Sequence, residues 1–138
     1  MNRDQALTAT LDELRDARAE MDGWIRLERS NDIFEHKNTG EIHASDGEVA
    51  DHPYPPTLDG AAKALPEGWS FEVASGTWLK DDGKTVDRVG FYAWAGRKPS
   101  DPSDTHTETI FVEYATDEVT ARYRLAVLCC LAEKEASK

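Results

Sequence analysis

The segment from Thr116 to Ala132 is the strongest constraint on what this chain can fold into. Val119, Tyr123, Ala126, Val127 and Cys130 recur at helical spacing and form one face, which Leu125, Leu128 and Leu131 broaden. Thr116 is placed to cap this helix, Asp117 and Glu118 sit where the helix dipole favours negative charge, and Glu133, Lys134 and Glu135 mark its solvated end. Helical stability of this kind comes from packing an apolar face, so the rest of the chain must supply a surface to receive it.

Three strand-like segments can do so. Trp69-Ser70-Phe71-Glu72-Val73 alternates with period two, and Thr77 to Lys80 continues it beyond a break at Ser75-Gly76. Asp81-Asp82-Gly83-Lys84 is turn chemistry. Val86 to Ala95 follows, with Phe91 on one face and Tyr92 and Trp94 on the other, a pattern that predicts at least partial cover on both faces. Thr107 to Tyr114 returns after a Pro/Ser/Asp loop, with Ile110 and Val112 inward. A short helix from Thr57 to Leu65, capped by Thr57 or Asp59 and followed by Pro66, precedes them. The expected fold class is therefore α/β: a helix-sheet-helix sandwich around a small antiparallel sheet.

The first part of the chain reads differently. Asn2 to Asp22 is expected to be one helix with Leu7, Leu11, Leu14 and Met21 on a stripe, stopped by Gly23. That stripe either packs within the chain or makes helix 2–22 an oligomerisation element. Ile33–His36 and Glu41–Ala44 flank Asn38-Thr39-Gly40 and predict a hairpin. Pro53, Pro55 and Pro56 around Tyr54 read as a stiff connector. The expected division is an appendage over residues 1–56 and a sandwich domain over residues 57–138.

Within the second part, ALPEGWSFEV (Ala64 to Val73) and TARYRLAVLCCLA (Thr120 to Ala132) resemble the phage ABA sandwich family of small phage and prophage proteins. Those proteins have a Trp-bearing first strand and an Ala/Leu/Cys-rich final helix with an Arg near its start, places that Trp69 and Arg124 take here. The resemblance implies helices sandwiching a short antiparallel sheet and a phage-related origin. It implies no activity and no catalytic residues, and residues 1–56 lie outside it.

Charge narrows the partners. Of 138 residues 27 are acidic and 16 basic, a net charge of −11 that is spread over the whole chain. Such a field repels phosphates and anionic lipid, so neither direct nucleic-acid binding nor membrane binding is expected, while a basic protein partner is favoured. No stretch is long and apolar enough to span a bilayer. Cys129 and Cys130 are adjacent, point about 100° apart on a helix and cannot pair normally, which fits core thiols in a reducing cytoplasm.

The remaining candidates carry little chemistry. His36, His43, His52 and His106 lack metal-ligand spacing, even with Glu41 and Asp51 nearby, so no metal is expected. Ser103, Asp104 and His106 have the residue types of a triad but no nucleophile elbow. No phosphate-cradling glycine motif is present, so no cofactor is expected. The expectation is a non-enzymatic accessory protein that binds another protein. One version is an acidic inhibitor of a host defence complex that imitates nucleic acid; a phage structural or assembly component is the alternative, and a small enzyme is a third reading that the missing motifs disfavour. Candidate contact residues are Asp81 and Asp82, with Trp78 and Trp94. The rings of Trp78, Tyr92 and Trp94 are expected beneath flanking helices, or else in an exposed recognition patch.

Overall fold

The computed structural model describes residues 1–26, 33–40, 42–44, 52–97 and 108–136. In chain order the elements are α1 (Arg3–Thr8), α2 (Leu11–Met21), β1 (Trp24–Arg26), β2 (Ile33–His36), β3 (Ile42–Ala44), α3 (Leu58–Ala64), β4 (Ser70–Leu79), β5 (Val86–Arg97), β6 (Glu108–Ala115) and α4 (Glu118–Ala136). They form two antiparallel three-stranded sheets, β1-β2-β3 and β4-β5-β6. The class is α/β with the C-terminal helix packed on a small antiparallel sheet, as expected.

The placement of the helices is not the expected one. α4 is apolar nearly all round and is buried on opposite sides at once. One side lies on Ala93, Ala95, Ile110 and Val112 of the sheet; the other receives α2, α3 and α1. The described helices thus lie together on one face of β4-β5-β6, because a helix apolar on two sides recruits the others to itself.

Asn2 to Asp22 is two helices. Thr10 accepts a hydrogen bond from the Glu13 amide (3.2 Å), and the Glu13 carboxylate accepts one from the Thr10 amide (3.0 Å). Asn2 and Gln5 make the same reciprocal pair at the start of α1. Each box satisfies amides that a helix start leaves orphaned, so a second start inside the segment ends the first helix at Thr8. Gly23, at φ +97°, ends α2. The break disperses the leucine stripe: Leu14 is fully buried against the core, Leu11 packs at its edge, and Leu7 and Met21 are exposed. Leu14 is therefore not available to a partner helix.

The core also crosses the proline segment at which residues 1–56 and 57–138 were divided. Ala6, Leu14 and Trp24 share one cluster with Ala61, Tyr123 and Leu128, and Tyr54 is itself buried. The Tyr123 hydroxyl donates to the Pro55 carbonyl (2.6 Å), and Arg15 donates to that of Tyr54 (2.7 Å). Pro55, with no amide to offer, serves here through its carbonyl.

Two buried arginines tie these layers. Arg124 of α4 donates to the carbonyls of Ala6 (3.0 Å), Ala9 (2.8 Å) and Tyr114 (3.0 Å). Arg18 of α2 donates to Ala64 (2.5 Å), the last residue of α3. At its N-terminus α4 is capped by Asp117 rather than Thr116, since the Asp117 carboxylate accepts from the Thr120 amide (2.8 Å) and hydroxyl (2.9 Å). Near its other end the Trp69 indole donates to Glu133 (2.9 Å) beneath the Arg97 guanidinium.

Arg124→Met should lower stability by roughly 3–5 kcal/mol, because three inward carbonyls lose a charged donor together. Arg124→Lys should recover only part of this in a urea titration, since an ammonium cannot reproduce the planar fork. A fragment of residues 57–138 should lack a sharp thermal transition, because it exposes the side of α4 that α1 and α2 cover. A cooperative melt of the fragment would show that the sheet and α4 suffice.

Candidate functional site

The alternation of β5 sets the chemistry of the open face. Ala93 and Ala95 turn inward to α4, so Tyr92 and Trp94 turn outward. Register places Trp94 between Glu72 of β4 and Phe111 of β6, a row across all three strands. Tyr92 is 42% exposed, Trp94 38% and Phe111 64%, on a face that no described helix covers. The expectation that Tyr92 and Trp94 pack beneath helices is thereby overturned; α4 already has its other helices on its far side.

The other end of this face is closed by its own side chains. Trp78 meets Tyr114 edge-to-face at 5.0 Å and Tyr92 at 6.3 Å. Beneath them Gly76 and Gly90 are cross-strand partners. A Cβ on Gly90 would collide with the Ala115 carbonyl oxygen and lie 2.6 Å from the Tyr114 ring, and one on Gly76 would lie 3.1 Å from Trp78. The paired glycines therefore make the bed for the rings. A bulge opposite Tyr92, between the Phe91–Ala115 and Ala93–Val112 pairs, puts Tyr114 on this face, where simple alternation from Val112 would turn it inward. Arg88 completes the closed end, its guanidinium 4.0 Å from the Tyr114 centroid and 5.5 Å from that of Trp78.

The candidate contact residues separate accordingly. Trp78 and Trp94 share the face, but Trp78 is half-buried in the ring cluster and Trp94 is open. Asp81 and Asp82 lie at the tip of the β4–β5 hairpin. The Asp82 carboxylate accepts from the Lys84 and Thr85 amides (2.8 Å each) and the Thr85 hydroxyl, and the Thr85 bonds chiefly hold its pKa below the usual carboxylate range. Asp82 builds the turn, while Asp81 is exposed without such bonds. Phe111, Tyr114 and Arg88 were missed as candidates. Phe111 was legible as the outward residue between Ile110 and Val112; Tyr114 was not, because the bulge that turns it has no local signature.

His36 and His52 are held by backbone. The His36 ring lies 2.7 Å from the Asp22 carbonyl and accepts from the Asn38 and Thr39 amides, edge-on to Trp24. His52 accepts from the Tyr54 amide and faces Asp16 at 3.0 Å. The hairpin register pairs His43 with Phe34 rather than with His36. Ser103, Asp104 and His106 lie outside the described residues, as do Glu41 and Asp51. Among the described residues no group of three or more His, Cys, Asp or Glu is arranged to hold a metal ion, and no helix is long and apolar enough to cross a membrane.

Comparison with protein-family models, curated proteins and solved structures finds no match to this chain.

Buried acids of a different kind make the core sensitive to base. Burial pushes the Cys129 thiol up to about 12 from 9.0 and the Tyr123 phenol up to about 12 from 10.0, and it raises the Tyr54 phenol as well. These groups ionise first in the unfolded chain, so their contribution is intact below their ordinary values and is lost as pH rises through the folded ones. The urea midpoint should fall between about pH 9 and pH 12, and Tyr123→Phe should reduce that fall. A midpoint unchanged to pH 12 would show these groups accessible in the native state.

Proposed function

We propose that this chain is a non-catalytic protein-binding module, an accessory protein of phage or prophage origin whose contact surface is the open face of β4-β5-β6. The observation that carries the reading is the exposure of Tyr92, Trp94 and Phe111 together on one sheet. Large aromatic side chains dominate interface hot spots, and exposed apolar surface gathered in one place marks interaction sites on soluble proteins. A strand presents such rings with little loss of rotamer freedom on binding, because the sheet behind them is already packed on α4.

The phage-related origin rests on the likeness carried by Trp69 and Arg124. Both have structural work in this fold, Trp69 on Glu133 and Arg124 on three carbonyls, although the helices that the likeness implies on both faces of the sheet lie, among the described residues, on one. The net charge of −11 makes a protein a better partner than nucleic acid or an anionic membrane. The cytoplasm is the compartment in which two unpaired thiols, Cys129 and Cys130, persist. An inhibitor that imitates nucleic acid and blocks a basic site of a host defence complex is one form of this function. Asp81 at the hairpin tip and Glu72 on the face would then meet the partner's cations.

The double substitution Trp94→Ala with Phe111→Ala should leave the thermal transition nearly unchanged, since both side chains are exposed. It should abolish capture of the protein that the unmodified chain retains from a phage-infected host lysate. Leu7→Asp, an equally exposed change on α1, should keep that capture. Retention by the double variant would place the contact surface elsewhere.

A further inference from the structure

The bare end of the open face has a definite chemistry. Its outward positions are Ser70, Glu72 and Ala74 on β4, Tyr92, Trp94 and Gly96 on β5, and Thr109 and Phe111 on β6, with Glu113 exposed beside the bulge. Three exposed rings therefore stand among two carboxylates and no lysine or arginine. Glu72 and Glu113 have no hydrogen-bond or ion-pair partner among the described residues, as is also true of Glu20, Glu35 and Glu67; what sets these two apart is their place on the sheet beside the rings, Glu72 directly across from Trp94 and Glu113 two residues beyond Phe111.

The closed end shows what occupies such a surface. There Arg88 lays its guanidinium over Tyr114 and Trp78, the arrangement in which a ring's negative face attracts a cation. The bare end repeats the rings, adds the counter-charges and lacks the cation.

Resting on the reading that this face docks a protein, we infer that its occupant is an arginine-bearing segment of another protein, its guanidinium groups stacked on Trp94, Phe111 and Tyr92 and neutralised by Glu72 and Glu113. A second copy of this chain is the poorer fit. Face-to-face pairing would bring like carboxylates together and oppose two chains of net charge −11. A guanidinium suits the site better than an ammonium because it stacks flat on a ring while still donating to a carboxylate at its edge.

The test uses synthetic hexa-arginine, hexa-lysine and a neutral Ser/Gly hexamer as probes, read by the indole N–H resonance of Trp94, which Trp94→Phe assigns. Hexa-arginine should shift that resonance saturably and leave those of the buried Trp24 and Trp69 in place. Glu72→Gln with Glu113→Gln should weaken its binding about tenfold, and Phe111→Ser by a similar factor. Hexa-lysine should bind more weakly, and the neutral hexamer not at all. Binding of hexa-arginine that leaves Trp94 unmoved would overturn the inference in favour of diffuse attraction to the acidic chain. Equal shifts by lysine and arginine would overturn the stacking. A concentration-dependent dimer lost in Trp94→Ala would assign the face to a second copy. If capture from lysate depends on Trp94 and Phe111 but hexa-arginine fails, only this inference falls; if capture ignores both rings, the underlying function falls with it.

Discussion

The fold hangs on one buried guanidinium. Arg124 collects the carbonyls of Ala6 and Ala9 at the end of α1 and that of Tyr114 at the end of β6. Burial lowers its pKa, and the nearby Asp117 charge opposes that shift. A cation in such a place is tolerable only when its donors are met, and Arg124 meets them with carbonyls whose own burial would otherwise be costly. The helix dipole adds to the match, since the C-terminal carbonyls of α1 carry partial negative charge. Arg18 does the same for α3 through Ala64. Two helices of six and seven residues, too short to persist alone, are thus fixed at their C-terminal ends by arginines from longer helices.

That arrangement determines what is left open. Arg124 holds α1 and the α1–α2 junction, and α2 and α3 pack on α4 away from the sheet. The second face of β4-β5-β6 then depends on its own side chains for cover. At one end it succeeds, because the glycine pair lets Trp78 and Tyr114 lie down beneath Arg88, with the exposed Tyr92 edge-on to Trp78 at the border. At the other end Gly96 faces Ser70 and Thr109, so Trp94 and Phe111 have no cross-strand glycine pair to lie on and no bulge to bring a further ring across. The difference between a closed and an open aromatic surface on one sheet thus comes from two glycines and one extra residue in β6.

Period and caps made much of this legible in sequence. The run from Val119 to Leu131 named the central helix, the alternation in β5 put Tyr92 and Trp94 on the same side, and Asn38-Thr39-Gly40 gave the β2–β3 hairpin. The capping boxes Asn2/Gln5 and Thr10/Glu13 were equally readable, but a continuous leucine stripe masked the break between them. What periodicity could not supply was the count of layers. An apolar α4 fits two flanking sheets, a sheet and helices, or a sheet alone, and the choice is made by long-range bonds such as Arg124 to Ala6. The proline segment misled for a related reason: lacking amides it looked like a linker, yet its carbonyls anchor Tyr123 and Arg15.

The acidic composition looks different once its groups are placed. Glu13 closes a capping box, Asp22 accepts from the Tyr54 hydroxyl, Asp82 shapes a turn, Asp117 caps α4, and Glu108 and Glu133 hold Arg97 near Trp69. These carboxylates are acceptors that the fold uses, and their number says little about a partner. A mimic of nucleic acid needs charges that are both free and arrayed, and most of those just named are neither. The carboxylates that stay free beside exposed aromatic rings are few, and they lie on the sheet face that the helices leave bare. Recognition is therefore better sought in that local pairing of ring and carboxylate than in the net charge, which acts at longer range, on the encounter rather than on the contact.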